Sequence, residues 1–159
     1  MKIYGWILLG WLGVLAFSGC GSSENLPRIR YGEDACANCR MIINEPQFGC
    51  AIETPDGEFR KYDDFNCMFL DVEREKLTPK RYFVPNYHKP DEWLDGTQAF
   101  YVRADDLQTP MGSRVLAVPS REAAEQEAQR LKGKVLTFDE VRRELLGKTS
   151  SEPVQTPRP

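Results

Sequence analysis

Histidine is nearly absent: a chain of 159 residues carries one, His88. Zinc hydrolases built on two or three imidazole ligands are thereby all but excluded. Positive charge is not in surplus either, since 21 Lys+Arg stand against 24 Asp+Glu for a formal net charge of −3. No block of about five or more like charges occurs, so there is neither a basic arm nor an acidic tail. A nucleic-acid-binding domain would show a basic patch, and that class is set aside. G-x-S-x-G, a phosphate-binding loop and a paired-His element are also missing, so no array of nucleophile, acid and base suggests an enzyme. What remains is ordinary globular composition, 41% hydrophobic and 28% charged, enough at this length for one core and one domain. Against that background the five cysteines are the feature to explain.

Met1 and Lys2 precede an apolar run, Ile3–Phe17, which closes on Ser18, Gly19 and Cys20. A basic start, an apolar stretch and small residues make a secretory signal. Phe17-Ser18-Gly19-Cys20 resembles a bacterial lipobox, with Phe where Leu is usual. Residues 1–19 are therefore expected to be a lipoprotein signal peptide, and Cys20 the lipidated first residue of the mature chain. The alternative is an uncleaved anchor, because Ile3–Ser23 carries no charge and is about 20 residues long, enough to span a bilayer. Both readings place the rest of the chain outside the cytoplasmic membrane and tethered to it. Gly21 after the cysteine favours the outer membrane in a cell that has one. Residues 20–30 then read as lipidated cysteine and polar linker, 31–147 as the folded domain, and 148–159, rich in Ser, Thr and Pro, as a disordered tail.

Within the domain, Phe48–Thr54 alternates as a strand does, Pro55-Asp56-Gly57 is a turn, and Glu58–Tyr62 returns as the second strand of a hairpin. Asp63 or Asp64 can cap a helix in which Phe65, Met68, Phe69 and Val72 fall on one stripe. Arg81–Val84 follows as a strand ended by Pro85. The second half repeats the order. Ala99–Val102 and Arg114–Val118 are strands, Ser120 caps a helix over Arg121–Lys132 stopped by Gly133, and Lys134–Phe138 is a last strand. A short closing helix spans Asp139–Leu146 and is ended by Gly147. The expected class is α+β, with two antiparallel ββαβ units in tandem plus a C-terminal helix.

The mature domain keeps Cys36, Cys39, Cys50 and Cys67, spaced C-x2-C-x10-C-x16-C. Outside the cytoplasm such a set reads first as disulfides, with three connectivities, Cys50–Cys67 among them. Cys50 is in register with Phe48 and Ile52 and also reads as a small buried apolar residue. Cys67 lies just inside the first helix but off its main apolar stripe. Cys36-Ala37-Asn38-Cys39 is ambiguous among a redox dithiol, half a zinc site and a disulfide. The redox reading wants a preceding strand and a following helix, and the zinc reading wants a second closely spaced pair; neither is evident. Met41 adds a further option. In an extended segment Cys39 and Met41 would project to one side, and a thiolate with a thioether is a soft set that selects Cu(I). Met111, in the turn Thr109-Pro110-Met111-Gly112, is not where a core needs a methionine. Met68 fits the helix stripe and reads as packing. His88 reads as a solvated loop residue, with an auxiliary ligand role as the alternative.

Several motifs in order resemble the NosL family: Cys36-x-x-Cys39-x-Met41, Tyr62-Asp63-Asp64-Phe65-Asn66-Cys67-Met68, Asn86-Tyr87-His88 with Trp93, Ala99-Phe100-Tyr101-Val102 and Thr109-Pro110-Met111-Gly112. The resemblance spans about Ala35–Phe138. It departs at Tyr62, where Phe is usual, at Asn86, where Asp is frequent, and at Arg114, where Gly is common. Members of that family are lipoproteins accessory to nitrous-oxide reductase that act as Cu(I) chaperones, and their fold is a pair of ββαβ units similar to the N-terminal part of organomercurial lyases. The resemblance implies a Cu(I) site at Cys39, Met41 and Met111, with Cys36 auxiliary. It implies a copper-enzyme client, nitrous-oxide reductase, and a membrane transporter as docking partner. The competing readings are a thiol–disulfide protein using Cys36 and Cys39, and a structural lipoprotein that binds nothing.

Overall fold

The computed structural model describes residues 25–149. The expected signal peptide, the lipidation site Cys20 and residues 150–159 of the expected tail lie outside the described residues. β1 (Cys50–Glu53) and β2 (Phe59–Tyr62) form the first hairpin, with Cys50 opposite Tyr62. Their turn closes at Gly57, whose φ of +87° is the left-handed value glycine adopts without steric cost. α1 (Phe65–Arg74) starts at Asp64, whose carboxylate accepts from the Asn66 amide at 3.1 Å. β3 (Arg81–Asn86) returns along the other side of β1, and β4 (Lys89–Asp95) lies beyond it, giving the order β2-β1-β3-β4.

The second unit has the same plan. β5 (Phe100–Arg103) is central, flanked by its hairpin partner β6 (Val115–Val118) and by β7 (Lys134–Leu136), which follows α2 (Arg121–Leu131). Every pairing in both sheets is antiparallel. The tandem ββαβ reading holds, and α3 (Phe138–Thr149) closes the chain.

The differences have local causes. β4 was not expected because its sequence, KPDEWLD, is polar and contains a proline. It pairs only with β3 and so forms an edge, where proline and charge are tolerated. That partner carries β3 past Pro85 to Asn86, with a register shift at this pair. α2 stops because Lys132, not Gly133, takes the left-handed conformation, at φ 52°. Gly133 answers a different need: a Cβ there would lie 2.5 Å from the Arg103 carbonyl oxygen. α3 runs on through Gly147 to Thr149, a glycine in an exposed last turn costing only about 1 kcal/mol. Residues 25–30, expected as linker, lie on the first sheet. Trp93 Nε1 donates to the Pro27 carbonyl at 3.0 Å, Arg81 donates to the Asn25 carbonyl at 3.0 Å, and Ile29 joins the core.

One core spans both units. Phe65, Met68 and Phe69 of α1 pack with Tyr101, Val115 and Ala117 of the second sheet and with Val141 and Leu145 of α3. Phe65 meets Tyr101 edge-on at 5.7 Å, and Phe138 meets Phe69 at 5.3 Å and Tyr82 at 4.8 Å. Each such side chain contributes about 1.5–3 kcal/mol by burial. A smaller cluster seats Ala124 of α2 on Val102, Leu116 and Val118. Between the sheets, the Tyr87 amide donates to the Ala117 carbonyl at 2.9 Å. No helix among the described residues is long and apolar enough to cross a membrane.

Candidate metal centre

Two loops meet at the N-terminus of α1. The first is Cys36–Met41, closed by the Cys36 amide donating to the Met41 carbonyl at 2.8 Å and by the Arg40 amide donating to the Cys36 carbonyl at 3.0 Å. This tight closure requires a left-handed residue, which is Arg40 at φ 67°. The Ala37 amide ties the loop to β2 through the Lys61 carbonyl at 2.8 Å, and Arg74 of α1 donates to the Asn38 side chain at 2.8 Å. Cys39 therefore lies in a turn and not in an extended segment. The left-handed Arg40 breaks the alternation that had placed Cys39 and Met41 on one side.

The second loop carries Met111 and is held by a buried carboxylate. Asp64 Oδ2 accepts from the Thr109 hydroxyl at 2.8 Å, the Met111 amide at 2.8 Å and the Ser113 amide at 3.4 Å. Asn66 adds a bond from its side-chain amide to the Met111 carbonyl at 2.9 Å. The loop needs left-handed backbone at Gly112 and at Arg114, the latter at φ 59°, a conformation glycine adopts without steric cost.

Between these loops, Cys36, Cys39, Cys67 and Asp63 converge, with three sulfurs and one carboxylate oxygen within 4.8 Å of one another. Cys36 and Cys67 are buried and Cys39 is partly exposed. The Cys39 thiol donates to Asp63 Oδ2 at 3.3 Å. The Cys67 thiol donates to Cys36; with the Cys39 and Asp63 amides this brings the Cys36 thiol down to about 6, against the desolvation that opposes it. Burial pushes the Cys39 thiol up to about 11. The bond to Cys36, together with burial, holds the Cys67 thiol well above its ordinary range. The cluster thus concentrates thiolate character on its most enclosed sulfur, a poor position for attacking an external disulfide.

All four described cysteines are free thiols, so neither a Cys36–Cys39 nor a Cys50–Cys67 bridge is formed. Cys50 stands apart from the cluster, fully buried on β1, and burial raises its thiol. Met68 is buried in the core, while Met41 is 56% and Met111 38% exposed. His88 is not among the converging groups. Its Nε2 lies 3.2 Å from Glu127 Oε1 of α2, so its partner is a carboxylate of the second unit. Cys67 and Asp63 were missed as donors, because a second C-x-x-C was sought for zinc. Asp63 and Cys67, spaced Asp-x3-Cys at the helix start, are brought beside the C-x2-C loop instead, and the position of Cys67 off the apolar stripe was the available signal.

The profile of the NosL family matches residues 30–146. Among characterised relatives, the copper-binding lipoprotein NosL of Stutzerimonas stutzeri is 28% identical over 159 residues, covering 91% of this chain and 83% of its own. Among solved structures, the crystal structure of the copper chaperone NosL from Shewanella denitrificans superposes with a TM-score of 0.62 at 16% identity, over 72% of this chain and 94% of that one. Neither name describes an enzyme. With a match across nearly the whole described domain and a shared fold, the chain belongs to the NosL family.

Proposed function

We propose that the protein is a membrane-tethered Cu(I) carrier, with copper as its cargo, held by Cys39, Met41 and Met111. One observation carries the reading: two of the three described methionines are solvent-exposed, on the two loops that meet beside the thiol cluster. An exposed thioether forfeits the burial that stabilises methionine elsewhere, and sulfur donors select Cu(I) over hard cations. Cys39, the only partly exposed thiol of the cluster, supplies the anionic sulfur. Three sulfur donors leave an open side through which a client's ligands can take the ion by exchange. The partner relationship follows the family: nitrous-oxide reductase as client, with a membrane transporter of its assembly system. Cys20 carries the lipid that holds the domain at the extracytoplasmic face of the membrane, and the copper-binding lipoprotein among the relatives supports that placement.

The test is anaerobic Cu(I) titration of the reduced protein against a chromogenic chelator, with Met111→Leu and Cys39→Ser alongside wild type. One tightly bound equivalent is expected. Each variant should weaken binding by at least the roughly tenfold that loss of even a ligand's outer partner costs a metal site. Leucine nearly conserves the methionine volume, so the fold is retained. Binding that ignores both substitutions, or no binding at all, overturns the reading.

A further inference from the structure

The residues that lead into the domain are bolted to β3 and β4. Arg81 donates to the Asn25 carbonyl and Trp93 Nε1 to the Pro27 carbonyl, both at 3.0 Å. Leu26 lies between these two bonds, which hold its side chain outward at 47% exposure. With Tyr82, Phe83, Trp93, Leu94 and Arg81 it lines a cavity of about 310 Å³. Phe83 meets Trp93 edge-on at 6.2 Å and carries the Arg81 guanidinium 4.7 Å from its ring centre. A leucine held outward beside aromatic rings and a stacked arginine makes the amphipathic surface that suits a lipid headgroup layer.

Chain reach decides what covers this surface. Cys20 stands five residues before Asn25, at most about 18 Å for a fully extended chain. With its lipid in the bilayer, Cys20 keeps Asn25 within that distance of the acyl boundary, and the headgroup layer itself takes up roughly 5–8 Å of it. We propose that the surface formed by Leu26 and Trp93 docks on the zwitterionic headgroup layer of the membrane that holds the lipid. The domain is then seated on the bilayer and not loose on a tether. This rests on the lipidation of Cys20 put forward above.

Charge selects the kind of lipid. Asp95 lines the same cavity as Arg81, and β4 sets Lys89 against Asp91 and Glu92. Three carboxylates would be repelled by an anionic surface, whereas zwitterionic headgroups, a phosphate beside an ammonium, meet either sign. Arg81 is already engaged by Glu53 at 2.6 Å, so apolar contact and not a spare cation supplies the affinity. The seat also orients the cargo site. The Ala37 amide ties the cysteine loop to β2, at the opposite edge of the β2-β1-β3-β4 sheet from β4. At about 4.8 Å per strand, the two edges are roughly 14 Å apart. A membrane at β4 therefore leaves the cysteine loop clear for a client.

The experiment reconstitutes the full-length product, purified with its lipid, into phosphatidylcholine vesicles that contain nitroxide-labelled lipids. Removal of residues 1–19 takes away Trp6 and Trp11, so Trp93 is the one tryptophan left to report. Nitroxide on the headgroup or high on the acyl chain is expected to quench Trp93, and nitroxide near the chain end is not. Leu26→Asp changes an exposed side chain, so it should still float with the vesicles and keep wild-type Cu(I) affinity, yet lose the quenching. Insertion of about ten Gly/Ser residues after Ser22 should leave the quenching in place, because a docked surface needs no short tether. Anionic phosphatidylglycerol should add nothing. Quenching that ignores Leu26→Asp, disappears with the longer linker or grows with phosphatidylglycerol overturns the proposal. A protein that floats with Trp93 unquenched also overturns it and leaves the surface to a protein partner, while the tether stands. Failure to float, or a Cys20 without acyl mass, overturns the tether reading itself and this proposal with it.

Discussion

Replacing Asp64 with Ala should detach the Met111 loop from α1 and lower both stability and copper affinity. The carboxylate is fully buried and accepts from the Asn66 amide as helix cap, from the Thr109 hydroxyl and from the Met111 amide, with a longer contact to Ser113 at 3.4 Å. Losing the cap costs about 1 kcal/mol. Leaving the Met111 amide and Thr109 hydroxyl without an acceptor adds about 1–3 kcal/mol each, less where water enters the vacated space. The sum is about 3–7 kcal/mol, and about 3–5 kcal/mol where water takes up part of the loss, a large share of the roughly 5–15 kcal/mol that holds a domain together. For a domain of this size it corresponds to a fall in Tm on the order of 10–20 °C. Asp64→Asn should cost less, because its remaining oxygen still caps the helix. Urea denaturation of both variants measures the stability, and chelator competition the copper affinity, with Asn66→Ala as a partner that removes only the bond to the Met111 carbonyl. An alanine variant that loses less than about 1 kcal/mol and keeps wild-type copper affinity would refute the role given to this clasp.

Other outcomes follow from the same geometry. His88→Ala should leave Cu(I) affinity unchanged in chelator competition, because the imidazole is paired with Glu127. Gly133→Ala should destabilise by about 1–3 kcal/mol in urea, since the new methyl would press on the Arg103 carbonyl at 2.5 Å. The Arg30 amide and the Lys61 ammonium hold the Asp34 carboxyl well below the usual carboxylate range. Its contribution is therefore full above the unfolded value near pH 3.9 and is lost as pH falls toward the lower folded value. Asp34→Asn should flatten that acid limb, as read by denaturation midpoints between about pH 5 and pH 2.

The repeat was legible in the sequence because hairpin turns and helix caps are local chemistry. Pro55-Asp56-Gly57, Asp64 and Ser120 sit where their side chains and backbone preferences require. β4 was not legible, because an edge strand tolerates Pro90 and a run of charges that would disqualify an interior one. The position of Cys39 was misread because left-handed backbone at Arg40 has no signal in an arginine. Asp63 and Cys67 were hidden for another reason: a donor set shared by a loop and the start of a helix depends on tertiary approach, which ligand spacing along the chain does not encode. Cys36 and Cys39 could be singled out from their motif, whereas Cys67 offered only its place off the apolar stripe and Asp63 offered nothing.

The caps of the two equivalent helices show how the halves have divided their labour. Ser120 does only what a cap does, accepting from the Ala123 amide at the start of α2. Its counterpart Asp64 caps α1 and reaches across to grip a loop from the other half. The repeated architecture is thus specialised at a single cap, the first half carrying the thiols and the second the Met111 loop that this cap holds. A graft of the cysteine loop onto a lone ββαβ unit would therefore reproduce the thiols without the Met111 loop that Asp64 holds beside α1.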